Sequence, residues 1–216
     1  MKLLDFFNAT AENKKACEHF VEIGGLKYLF PIFLGSRLPK MAQFQATTTK
    51  ARRQWLHAIE EQGIRILYAL CQHLDDSSPS DSKARFLVKF VQDERKCDRV
   101  VELLLAYDEK SRKAEYNFYR SDVEETLTVQ DEETVKFAAL DAKLRGGGDL
   151  FYRLGALTAH LCVNSKRCHE RISSQLHMQQ SGISVVKASL TEFMSVLQAG
   201  PQREKIADDL RSLCAR

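Results

Sequence analysis

The residues that could do chemistry are few and scattered. His160, Cys162, Cys168 and His169 are the one His/Cys cluster in the chain. A structural zinc site needs four ligands that converge tetrahedrally. His160 and Cys162 are two apart on a helical stretch, so their side chains point about 200° apart. That spacing places Cys162 with the core and His169 with solvent, and it argues against a metal. Gly146-Gly147-Gly148 has the composition of a phosphate loop, but no strand precedes it and no Lys-Ser/Thr follows it. It reads instead as a helix interruption or a flexible linker. Ser nucleophile elbows (GxSxG) and HExxH are both missing. The acidic residues Glu124, Glu125, Asp131, Glu132 and Glu133 could act as acid and base, yet no aromatic pocket accompanies them. A solvated acidic loop is the simpler reading, and a surface that binds a basic peptide is the sharper one. No catalytic, metal-ligating or cofactor-binding residue is expected, and an enzyme is not.

Charge excludes further classes. Across 216 residues the net charge is +3, which makes no strong case for nucleic acid. The basic clusters Lys14-Lys15, Arg37 to Lys40 and Arg52-Arg53 carry no interleaved stacking aromatics. Direct nucleic-acid binding is therefore not expected, although a helical-repeat RNA-binding or general adaptor module stays open as the alternative reading. No stretch approaches the roughly 18 apolar residues of a membrane span. The N-terminus is charged too soon for a signal peptide, so a soluble, intracellular chain is expected. Six cysteines without a CxxC read as free thiols that serve as small core residues. Homo-oligomerisation is left open.

The elements that must carry these residues are helical. Hydrophobic content is 44%, and 10 Gly and 4 Pro in this length argue against the many tight turns of an all-β fold. Thr10 is a candidate N-cap for a helix from Ala11 to Glu22. Gly24-Gly25 then ends that helix and turns the chain into a second one, Leu26 to Leu34, with Leu26, Leu29, Phe30 and Phe33 on one face. Pro31 within it is tolerable early in a helix. Gly35 to Thr49 reads as a loop, Lys50 to Leu74 as a long helix, and Asp75 to Asp81 as a break. Short helices follow over Ser82 to Val91 and Cys97 to Ala106. The second extends toward Tyr116 and Tyr119 across a polar run, Asp108 to Lys113, that weakens its apolar face. Residues 121–133 read as an acidic loop. Helices resume from Thr134 to Leu144, from Asp149 to Asn164, from Lys166 to Gln180 with a turn at Gly182, and from Ile183 to Leu197. Gly200-Pro201 precedes a last helix marked by Ile206, Leu210 and Leu213. The fold class is all-α, with paired or tripled helices stacked into a solenoid. The sequence also starts inside a helical pattern at Leu3, Leu4, Phe6 and Phe7, as expected of a piece of a longer protein.

Several stretches, taken in order, resemble the C-terminal region of the beta-catenin-like family of armadillo-repeat proteins. They are FVEIGGLKYLFPIFLGS (Phe20 to Ser36) after the helix start Glu12-Asn13-Lys14, LVKFVQDERKCDRVVEL (Leu87 to Leu103), Leu140-Asp141-Ala142, and the run from Cys162 to Val186 through Gly182. The tri-glycine looks like an insertion, and Met41 to Gln54 shows no clear match, so the chain is similar to a divergent eukaryotic relative. The resemblance implies an armadillo-like α-solenoid end with a C-terminal helical cap: residues 1–35 as the last armadillo-type repeat and 36–216 as the capping region, continuous with it. It implies a non-enzymatic nuclear scaffold associated with the spliceosome through the nineteen complex. Its partners would be splicing-factor proteins with basic, nuclear-localisation-type segments. Gly24, Gly25 and Gly182 would be its structural turns.

Overall fold

A computed structural model describes residues 13–35, 48–75, 81–121 and 132–215. Among them are ten α-helices and no strand: α1 Lys14–Glu22, α2 Leu26–Phe33, α3 Thr49–His73, α4 Ser82–Gln92, α5 Arg95–Ser121, α6 Glu132–Lys143, α7 Asp149–Asn164, α8 Lys166–Met178, α9 Ser184–Val196 and α10 Pro201–Cys214. A single π-helical turn, Leu144–Gly148, joins α6 to α7.

The first corner is built as its residue types require. Thr10 lies outside the described residues, and Asn13 caps α1, its Oδ1 accepting the Lys15 N–H at 2.9 Å. At the other end Gly24 takes φ +82°. The Gly24 N–H reaches Val21 O and the Gly25 N–H reaches Phe20 O, so two terminal carbonyls of α1 are satisfied in a Schellman turn. A Cβ on Gly25 would lie 2.3 Å from the Phe20 ring. One glycine is needed for its backbone angle and the other for close approach. Pro31 is not early: α2 begins at Leu26, so Pro31 falls in its second turn and removes the bond to the Lys27 carbonyl. The helix survives for eight residues because Leu29, Phe30 and Phe33 are buried around the defect.

In the middle of the chain, the helix expected from Cys97 toward Tyr116 and Tyr119 runs unbroken from Arg95 to Ser121. Its polar stretch is held by i,i+4 pairs, Asp108 with Arg112 at 2.6 Å and Glu109 with Lys113 at 2.5 Å. Ser111 in the same stretch is fully buried. Tyr116 and Tyr119, further along, are exposed. The tri-glycine is a packed interruption and not a free linker. A Cβ on Gly146 would lie 2.1 Å from the Ala114 Cβ, and Gly147 takes φ +116° against the Tyr107 ring. The absence of side chains lets the π turn lie directly on α5.

The core sits around α7, which packs against α3, α5, α8, α9 and α10. Surrounded on so many sides, α7 is buried over most of its circumference: Leu150, Leu154, Leu157 and Leu161 on one line, and Phe151, Tyr152, Ala159 and His160 off it. Tyr152 stacks on Phe193 of α9, ring centroids 5.5 Å apart, and Tyr68 of α3 approaches the same ring at 6.1 Å. At the other end of the stack α1 lies on α3 and α4, and α2 on α3. Phe30 meets Phe90 edge-on at 5.2 Å, with the Lys96 ammonium 5.1 Å from the Phe30 centroid. Among the described residues no helix is long and apolar enough to cross a membrane.

Candidate interaction site at the junction of α2, α3 and α5

Where α2 ends, α3 and α5 leave a shallow cleft of about 340 Å³. Ile32, Phe33 and Gly35 come from α2 and its end, Leu56, His57 and Glu60 from α3, and Arg99 from α5. On α3, Leu56 and Glu60 are one turn apart and share a face, which puts an apolar and an acidic group side by side. Glu60 organises the polar side. It accepts from Arg99 at 2.5 Å and from the Tyr107 hydroxyl at 3.1 Å. The same hydroxyl lies 3.4 Å from His57 Nδ1, and the two rings stack. Burial pushes the Tyr107 phenol well above its usual range, and the Glu60 charge adds to this. It stays a neutral donor to Glu60.

The cleft thus has an apolar floor and a rim whose charges already answer one another. What it can do is take an apolar side chain of another protein and offer hydrogen bonds at the rim. A basic group arriving there would compete with Arg99 for Glu60. None of these residues stands out in the sequence; the only available signal is the His57–Glu60 spacing on one helix.

The expected acidic surface is only partly placed. Glu124, Glu125 and Asp131 lie outside the described residues. Glu132 and Glu133 belong to the first turn of α6 and not to a loop. That position suits carboxylates, because the N-terminal end of a helix carries partial positive charge. Glu132 pairs with Lys136 at 2.6 Å, a contact that holds its carboxyl below the usual range. Glu133 is exposed.

The His/Cys cluster is dispersed by the packing. His160 is as buried as Cys162 because α7 has core on both sides. The 200° between them separates two parts of the interior, not inside from outside. His160 faces Asp209 of α10, Nδ1 to Oδ2 3.8 Å, while Cys168 turns toward Cys97. His169 is half-buried, not solvated. Among the described residues no three His, Cys, Asp or Glu side chains converge as a metal would need. The six cysteines are free thiols; five are buried and Cys214 is exposed. Gly182 lies in the turn between α8 and α9, but the left-handed residue there is Gln180, φ +55°. Gln180 N–H to His177 O and Ser181 N–H to Leu176 O complete that turn.

Helices stacked around a buried central helix, with a glycine corner at one end, define an armadillo-like all-helical protein. Comparison with known proteins takes this further. The family model described as "Catenin-beta-like, Arm-motif containing nuclear" matches residues 1–191, and the chain belongs to that family. It is 27% identical to the human protein named beta-catenin-like protein 1 over 213 residues, which cover 94% of this chain and 34% of the relative. The bovine and mouse proteins of that name are 25% and 26% identical over the same span. The chain therefore spans about a third of the length of the curated relatives it matches.

Proposed function

We propose that this chain is the end of an armadillo-type scaffold that works in pre-mRNA splicing as part of the nineteen complex, in the nucleus. It holds basic segments of splicing factors and performs no catalysis. The observation that carries the reading is membership of a nuclear Arm-motif family across residues 1–191. Residues 1–35 act as the last repeat and 36–216 as the cap that closes the stack, the two packed as one domain. An exposed repeat end would leave an apolar face in water, and a cap removes it. Acidic side chains at the start of α6 supply the attraction for Lys/Arg segments, and the cleft at the junction of α2, α3 and α5 takes an adjacent apolar side chain.

Affinity purification of the tagged chain from nuclear extract, read by mass spectrometry, tests this. Recovery of nineteen-complex components is the expected result. A reproducible set of partners that contains no splicing factor would overturn it.

A further inference from the structure

Cys97 is the third residue of α5 and Cys168 the third residue of α8. They are 71 positions apart, and each is 1% exposed. Both are buried where α5 and α8 pack together. Two charged clamps set the register on either side. Arg167 donates to Glu94 at 3.0 and 3.3 Å, and Arg171 donates to Asp98 at 2.7 and 2.7 Å. Each acid is one turn from the next, as is each arginine, so α5 and α8 cannot slide without breaking both. Cys97 lies between the two acids and Cys168 between the two arginines, so the clamps bring the two cysteines opposite each other, as disulfide formation needs. The two sulfurs also differ. The neighbouring Cys97 holds the Cys168 thiol below its usual range, helped by the Ser165 hydroxyl and the nearby Arg167. The neighbouring Cys168 and burial push Cys97 up. Cys168 is the thiolate-forming partner and Cys97 keeps its proton.

We propose that Cys97 and Cys168 are a reversible dithiol–disulfide pair, oxidised by a small peroxide, that locks α8 onto α5. Hydrogen peroxide is the oxidant. The Cys168 thiolate attacks one peroxide oxygen, the O–O bond breaks, and hydroxide leaves to be protonated to water; Cys168 is now a sulfenic acid. The Cys97 sulfur attacks that sulfur, the S–O bond breaks, and the departing hydroxide takes the Cys97 proton as a second water. Two thiols have lost two electrons to the peroxide, and an S–S bond has formed. Access comes by local opening at the start of α8, where the helix end is held by Ser165 and the two arginines. Reduction by an added dithiol restores the resting pair.

The purified full chain, reduced and then exposed to hydrogen peroxide, is blocked with N-ethylmaleimide and mapped by mass spectrometry without reductant. The expected result is a linked peptide pair containing Cys97 and Cys168, loss of two of the six thiols, and reversal by dithiothreitol. The oxidised protein also melts higher than the reduced one. Cys168→Ser abolishes the link and the rise in melting temperature. Cys162→Ser, which removes the third thiol close to Cys97, leaves both in place. No loss of thiols, over-oxidation without a link, or a link from Cys97 to Cys162 would each overturn the proposal. Mapping the unmodified protein decides it even if a serine variant fails to fold.

Discussion

The Lys205 ammonium of α10 donates to the Cys71 and Gln72 carbonyls, at 2.6 and 2.8 Å, where α3 ends. A helix C-terminus presents unpaired carbonyls and partial negative charge, and here a lysine 133 positions away in sequence from Gln72 answers both. The last helix is thereby tied to the longest helix of the first half. Lys205→Met should cost about 1–2 kcal/mol, because it leaves two buried-side acceptors with weaker partners. Urea unfolding followed by circular dichroism measures it. A midpoint equal to that of the parent would mean that the contact adds nothing.

The Gly24-Gly25 corner separates two costs. Gly24→Ala should lose about 1–2 kcal/mol from the left-handed strain alone, since open space surrounds its Cβ position. Gly24→Asn should lose less, because asparagine tolerates that region. Gly25→Ala must instead displace the Phe20 ring. Thermal melts of the three variants should rank Asn at position 24 as the mildest, and the double change of both glycines to Val should be worse than any single His or Cys substitution.

At the cleft, Tyr107→Phe removes one donor from Glu60 while Arg99 stays. The expected loss is about 1 kcal/mol. Combining it with Glu60→Gln in a double-mutant cycle should show coupling, as the two groups touch. Purely additive effects would remove Glu60 from the centre of the network.

His160 makes stability depend on pH. Burial disfavours its charged form, but the Cys71 sulfur and the Asp209 carboxylate outweigh burial and raise it from 6.5 to about 9, with Lys205 opposing. A histidine held up in the folded state contributes stability that is complete below about pH 6.5 and is lost as pH rises through about 9. The unfolding free energy should fall by about 3 kcal/mol between pH 6 and pH 10. The slope should flatten in Asp209→Asn. Chemical denaturation at several pH values reads both.

If the acidic start of α6 holds basic segments, reversing Glu132 and Glu133 to Lys should weaken binding of a fluorescent Lys/Arg-rich peptide at least several-fold. Raised salt should weaken the parent in the same direction. Anisotropy titrations give both numbers, and an affinity unaffected by the reversal would move the binding surface elsewhere.

Much of the architecture could be read before folding. Helix positions follow from apolar residues three and four apart, and the Gly24-Gly25 and Gly200-Pro201 breaks from the backbone freedom of glycine and the missing N–H of proline. Other features depend on signals that the apolar pattern does not carry. Asp108 to Lys113 weakens the apolar face of its helix, and its side chains pair along the helix surface. Glu132 and Glu133 look like loop residues, yet a helix start favours them. The cleft was invisible because Phe33, Glu60, Arg99 and Tyr107 are brought together from three helices and share no motif.

The all-helical class and the glycine corner follow from residue order alone, because periodicity and backbone permissiveness are local properties. Ordered sequence matches also pointed to the family. Which helix is central depends on how the helices pack. With neighbours on most sides of α7, His160 lies as deep as Cys162, although helical spacing alone puts them on opposite faces. Tertiary packing also decided that Lys205 caps α3, that the tri-glycine lies tight on α5, and that Cys97 meets Cys168. Each of these is a contact between residues far apart in the chain. Such a contact exists only once the helices have chosen their partners.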